Sequence, residues 1–297
     1  MDTPLALTAA RPRWRHYLEL AKPRVVALMV FTVLVGMLLA RPAPVPWRVL
    51  VFAPLGIALV AAAAAALNHL IDRRIDALMA RTRGRPLPSG ALGNTGALVF
   101  AGITALVGTT LLLVFTNPLC TTLTLASLVG YALVYSLVLK HATPQNIVIG
   151  GAAGAAPPLL GWVAVTGQVD PGAWLLFLII FIWTPPHFWA LAIHRRDDYA
   201  RAAIPMLPVT HGVPFTVQRI RAYTVALVAI SLLPVAIGLS GPLYLVGAAL
   251  LGLRYLWLVH ALVREPARLA WPSFRYSIVY LAGLFALLLL DRALASA

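Results

Sequence analysis

Residues 47–76 read WRVLVFAPLGIALVAAAAAALNHLIDRRID, and the change of character within this stretch decides what kind of molecule the chain builds. Through Leu67 the run is almost wholly apolar, and as a helix rising about 1.5 Å per residue it crosses the roughly 30 Å hydrocarbon core of a bilayer. From there polar residues enter. Asn68, Asp72 and Asp76 stand at i, i+4 and i+8, so a helix that continues past the apolar run sets all three on one face, roughly 12 Å long. A carboxylate at the centre of a bilayer costs about 2.5–3.5 kcal/mol and less toward its edges, so two on one face at the end of a span require compensating positive charge.

Long apolar runs joined by short charged connections fill the rest of the chain. With 61% hydrophobic and 11% charged residues it lies far from the soluble balance of roughly half apolar and a quarter charged. Windows of about 20 apolar residues give about nine spans, at 24–40, 47–68, 95–116, 119–139, 146–166, 173–194, 222–239, 241–261 and 276–294. The expected fold is therefore an all-α integral membrane protein. No polar stretch is long enough to fold apart, so 1–297 reads as a single membrane domain. It has an N-terminal segment, 1–23, and two long connections, 69–94 and 195–221, all on one side. Of the 23 Lys and Arg residues, all but Arg41, Arg48 and Arg292 fall on that side, which the positive-inside rule makes the cytoplasmic one. The N-terminus is expected inside and the C-terminus outside.

The net charge of +14 sits in short clusters between spans, where bases orient helices and meet anionic headgroups or ligands. Membrane lipids, and not nucleic acid, are the expected partners. A single cysteine, Cys120, excludes an intrachain disulfide and a multi-cysteine metal site. No small-residue cleavage site follows the first apolar run, so no processing is expected.

The two long connections carry four of the nine acids, in two compact clusters: Asp72 and Asp76 in the first, Asp197 and Asp198 in the second. In the first, at 68–76, a bound magnesium ion would answer the carboxylates of Asp72 and Asp76, since it takes a few carboxylate oxygens and completes its octahedron with water and phosphate oxygens. The other reading is a solvated juxtamembrane helix whose acids pair with Arg73 and Arg74. The second cluster, HRRDDYARAAIP at 194–205, places His194 and Asp198 at i, i+4, again at the end of an even-numbered span. Bases flank both clusters, in RTRGRPLPSG at 81–90 and at Lys140, the end of YSLVLK. Carboxylates interleaved with Arg and Lys suit a metal–diphosphate ligand, because the metal bridges acid to phosphate while cations hold the remaining oxygens. Asp72, Asp76 and Asp198 are thus the candidate catalytic acids. The candidate metal ligands are Asn68, Asp72, Asp76, Asp198 and His194, and the candidate diphosphate contacts are Arg81, Arg85 and Lys140.

The stretch GGAAGAAPPLLG at 150–161 is of the small-residue type that lets helices approach closely in lipid; a smooth wall for an isoprenoid tail is the alternative. TPPHFWALAIH at 184–194 places two prolines inside a span, where they remove helix hydrogen bonds and invite a kink. His187, just beyond them, is a candidate haem ligand or an ordinary hydrogen-bonding histidine. A transporter, which also uses intramembrane acids and broken helices, and a non-catalytic haem-binding assembly protein are the other classes weighed.

At these residues the chain resembles the UbiA superfamily of intramembrane prenyltransferases. NHLIDRRID matches its first aspartate-rich motif, with His69 where many members have aspartate; RTRGRPLPSG and Lys140 match as well. The second motif of that superfamily usually carries two aspartates four apart, where this chain has His194 and Asp198. Within the superfamily, LAKPRVV at 20–26, ATPQNIVIGGAAGAAPPLLGW at 142–162 and WTPPHFWALAIHRRDDYARAAIPMLPVT at 183–210 resemble the branch that farnesylates haem. The resemblance implies a UbiA-like helical bundle in a bacterial inner membrane. It implies farnesyl diphosphate and protohaem IX as substrates, magnesium as the bridging ion, and haem O as product, made for terminal oxidases with haem A synthase or oxidase assembly as partner. A UbiA-type enzyme with another aromatic acceptor is the alternative.

Overall fold

A computed structural model describes residues 12–40, 44–79 and 82–295, and no strand occurs among them. The helices are α1 Arg13–Leu20, α2 Pro23–Leu39, α3 Trp47–Leu78, α4 Asn94–Phe115, α5 Pro118–Val129, α6 Lys140–Ala142, α7 Asn146–Thr166, α8 Pro171–His194, α9 Arg196–Arg201, α10 Leu207–Thr210, α11 Gly212–Ala236, α12 Pro242–Arg264 and α13 Pro266–Ala295. Between α5 and α6 the backbone runs as a π-helix, Gly130–Leu139, so that α5 and this segment form one span. Among the described residues eight helices are long and apolar enough to cross a membrane, and α1 with α2 makes a ninth candidate, bent by 48°.

The bend follows from the sequence at its corner. Pro23 opens α2, and Lys22 before it adopts the left-handed region (φ 50°, ψ 58°), which a residue with a side chain rarely occupies. α1 packs Tyr17 and Leu20 against α3 and α4 and leaves Trp14 and Leu18 exposed one turn apart among Arg13 and Arg15, the pattern of a helix lying at a membrane surface.

Three helices run well past their apolar windows. α3 continues to Leu78, α11 starts at Gly212 instead of near 222, and α13 starts at Pro266 instead of near 276. Hydropathy marks only the part of a helix that lies in lipid, and these helices keep their hydrogen bonds beyond it. The two long connections therefore shrink, and much of their charge rides on helical turns.

α7 and α8 are the most enclosed spans, while α4, α5 with its π-helix, and α12 turn their apolar side chains outward, among them Leu106, Leu113, Leu137, Val246 and Leu253. That outer surface is what lipid solvates. α2 packs on α7 with backbone-to-backbone closeness: a Cβ on Gly36 would lie 1.9 Å from the Pro158 carbonyl oxygen, and one on Gly161 would lie 2.1 Å from that of Val33. The small residues of 150–161 thus serve packing at Gly161 and also at Gly151, which meets Thr184. α8 remains helical across Pro185 and Pro186. At the opposite end of the bundle, Asp291 of α13 accepts hydrogen bonds from Ser240 Oγ at 2.7 Å and from the Gly241 and Tyr244 amides, so it caps the start of α12.

Candidate active site

The extra turns of α3 carry Asn68, Asp72 and Asp76, and all three side chains are buried. Their charge is answered from elsewhere in the chain. Lys140, at the end of the π-helix, pairs with Asp72 Oδ2 at 2.6 Å; Arg85, in the loop after α3, pairs with Asp76 Oδ2 at 2.6 Å. Thr82 Oγ1 donates to the Asp76 carbonyl at 2.8 Å and so ties the loop to the helix end. Arg73 instead reaches Asn94 and Arg74 is exposed, so the reading in which the acids pair along their own helix does not hold.

Asn68 joins the cluster together. Its Nδ2 donates to Asp72 Oδ2 at 2.8 Å and to Ser136 Oγ at 3.0 Å, and its Oδ1 accepts from Lys22 Nζ at 2.8 Å. Lys22 Nζ also stands 5.9 Å from the centre of the Tyr131 ring. Its left-handed backbone, a conformation that costs on the order of 1–3 kcal/mol, is the one in which the ammonium turns inward to Asn68. The sequence marks neither Lys22 nor Ser136 as a site residue, although Lys22 lies in LAKPRVV and Ser136 in YSLVLK. Ten residues of π-helix beside the cluster fit the tendency of such turns to mark functional sites.

One acceptor in this cluster has no protein donor. Asp72 Oδ1 is buried and without a hydrogen bond, while its sister oxygen is shared by Lys140 and Asn68. A buried carboxylate oxygen left without a donor suits a hard cation that takes only a few protein ligands.

The second cluster is arranged otherwise than expected. α8 ends at His194, and Arg195 leaves helical geometry (φ −112°, ψ 23°) before α9 begins, so His194 and Asp198 do not share a helical face. His194 is exposed and its ring lies 5.0 Å from that of Trp271; the expectation that it is a metal ligand is not supported by this placement. Asp198 is held by Arg201 at 2.5 Å and Arg195 at 3.7 Å. Among the described residues no three His, Cys, Asp or Glu side chains are gathered as a metal site, so Asp198 is not brought to Asp72 and Asp76. Arg81 lies outside the described residues.

His187 is buried in α8, its ring stacked between Trp183 at 4.1 Å and Phe274 at 4.5 Å. Ser277 Oγ, 2.7 Å from Nδ1, has one proton and donates it to the Phe274 carbonyl at 2.6 Å. Nδ1 must therefore be the donor in that contact, which leaves the lone pair on Nε2. The ring faces are covered, and the only edge able to ligate is the Nε2 edge.

A family model described as the UbiA prenyltransferase family matches residues 29–288. The chain belongs to the UbiA prenyltransferase family. It is accordingly a multi-pass membrane prenyltransferase. Among curated UbiA relatives, a protoheme IX farnesyltransferase from Azotobacter vinelandii is 60% identical over 295 residues, 99% of each chain. Another so described, from Alkalilimnicola ehrlichii, is 62% identical over 282 residues, 95% of this chain and 93% of that one. Two solved structures share the UbiA fold. A digeranylgeranylglyceryl phosphate synthase superposes with a TM-score of 0.80 at 19% identity, covering 94% of this chain and 98% of its own. A UbiA homologue from Archaeoglobus fulgidus, described as bound to DMAPP and Mg2+, gives 0.65 at 16% identity over 92% of this chain and 98% of its own.

Proposed function

We propose that this protein transfers the farnesyl group of farnesyl diphosphate to a vinyl group of protohaem IX, with addition of water, to give haem O. The observation that carries the reading is the near-complete 60% identity to a protoheme IX farnesyltransferase, in a chain whose buried acids and bases converge on α3. A divalent cation, magnesium by the chemistry of its donors and as in the Archaeoglobus fulgidus homologue, would be held by Asn68, Asp72 and Asp76 and would neutralise the departing diphosphate.

Lys140 and Arg85, which pair with Asp72 and Asp76 in the ligand-free protein, hold the diphosphate oxygens, and Arg81, outside the described residues, is assigned the same role from its sequence position. As the allylic C–O bond lengthens, negative charge grows on the bridging oxygen, and cations already fixed by the fold bind it more strongly than in the ground state. The farnesyl cation takes the electron pair of the haem vinyl group, forming the new C–C bond. The positive charge then lies on the carbon next to the porphyrin ring. Water adds there and loses a proton, so the vinyl becomes a hydroxyethylfarnesyl group. His187, with its Nε2 lone pair and its tautomer set by Ser277, is the axial ligand that orients the haem, as a second hydrogen bond commonly orients a ligating histidine. Asp198, held by Arg195 and Arg201 on the second connection, would meet the diphosphate only through a further divalent cation, since two anions repel each other directly.

The test is product mass. Purified protein given protohaem IX, farnesyl diphosphate and magnesium should yield haem carrying one farnesyl and one hydroxyl; haem returned unchanged while a hydroxybenzoate is prenylated would overturn the haem half. His187→Ala should abolish the haem absorption shift on binding, whereas binding that persists removes His187 as ligand.

A further inference from the structure

His69 follows Asn68 on α3 and is only 2% exposed, yet neither of its ring nitrogens has a hydrogen-bond partner. Buried polar atoms are almost always paired, with protein, water or a bound group, so an imidazole with both nitrogens open calls for a specific reason. Its surroundings supply one. His69 lines a cavity of about 620 Å³ together with Lys22, Arg24 and Arg85. Arg85 is the residue that pairs with Asp76 and Lys22 the one that holds Asn68, so two of the cavity's bases are also partners of the acid cluster. The other polar residues that line it are Arg15 and Glu19, leaving four bases to one acid. Positive charge around an imidazole with an unmet donor describes a place for an anion's oxygen atoms.

We propose that His69 is a diphosphate-binding residue, its ring N–H donating to a phosphate oxygen and its other nitrogen accepting from ordered water in the same cavity. The inference rests on the reading of the acid cluster as a prenyl diphosphate site. His69 meets the anion beside Lys22 and Arg85, which line the same cavity. A side chain that accepts only, at this position, would face the phosphate oxygens with lone pairs; the imidazole offers a proton instead.

The test uses farnesyl diphosphate binding to the full-length protein in detergent with magnesium, followed by calorimetry and by ligand-induced thermal stabilisation, on wild type, His69→Leu and His69→Gln. Loss of one hydrogen bond to a charged group corresponds to about 10- to 100-fold in affinity. His69→Leu is expected to bind farnesyl diphosphate 10- to 100-fold more weakly, with the midpoint of the ligand-free protein unchanged or raised, since leucine leaves no buried polar atom unpaired. His69→Gln, which keeps a donor and an acceptor, is expected to recover most of the affinity. Equal affinity in wild type and His69→Leu overturns the proposal, as does a lowered ligand-free midpoint with unchanged affinity, which marks a packing role. If wild type itself fails to bind farnesyl diphosphate, the reading of the whole cluster fails, and that result is distinct from either.

Discussion

At the scale of single residues, the cluster on α3 separates charge that catalyses from charge that merely balances. Asp72→Asn removes the open oxygen and one ion pair at once, and turnover is expected to fall by orders of magnitude, read as the rate of product formation at saturating substrate. Lys140→Met removes the cation paired with buried Asp72, and breaking a buried pair from one side costs about 3–5 kcal/mol, so its thermal midpoint should drop as well as its rate. Asp198→Asn, whose partners Arg195 and Arg201 are largely exposed, should lose turnover with a midpoint close to wild type, because such surface pairs contribute about 0–1 kcal/mol. The spacing of Asn68, Asp72 and Asp76 belongs to one helix and is readable from the chain alone. Lys22, Ser136 and Lys140 arrive from other helices, and no local pattern says which side chain each will meet.

At the scale of elements, span positions were readable because lipid imposes an apolar length, whereas helix ends beyond the lipid obey hydrogen bonding and leave no hydropathy signal. The same gap explains His194: the break at Arg195 has no proline or glycine to announce it, so a continuous helix was the natural expectation. Packing contacts are testable here. Gly36→Ala places a methyl group on the Pro158 carbonyl and forces α2 away from α7. Overpacking of this kind costs about 1–3 kcal/mol. Because Lys22 is carried at the head of α2, the variant should lose activity along with stability, whereas Gly154→Ala on the same helix as Pro158, with open space around it, should keep both.

For the whole molecule, the bases gather at one end, and the acids at the other end serve hydrogen bonding. The cluster on α3 gathers Lys and Arg at one end, while Asp291 at the other end caps a helix start and Asp170 accepts from the Trp162 indole at 2.8 Å. The orientation expected from Lys and Arg makes the cluster end cytoplasmic: a reporter fused after Gly90 should be active only in the cytoplasm, and one fused at Gly167 only outside, with the reverse pattern inverting the topology. The pairing of Asp72 with Lys140 has a further consequence, for the order in which the chain is made. Asp76 is answered by Arg85 in the very next loop, but the partner of Asp72 is synthesised only after α4, α5 and the π-helix have followed. A chain halted after Phe115 therefore carries an unanswered acid in a finished span, and one halted after Thr166 does not. The shorter product is expected to be cleared faster by membrane proteases in a pulse-chase experiment, and Asp72→Leu should remove the difference.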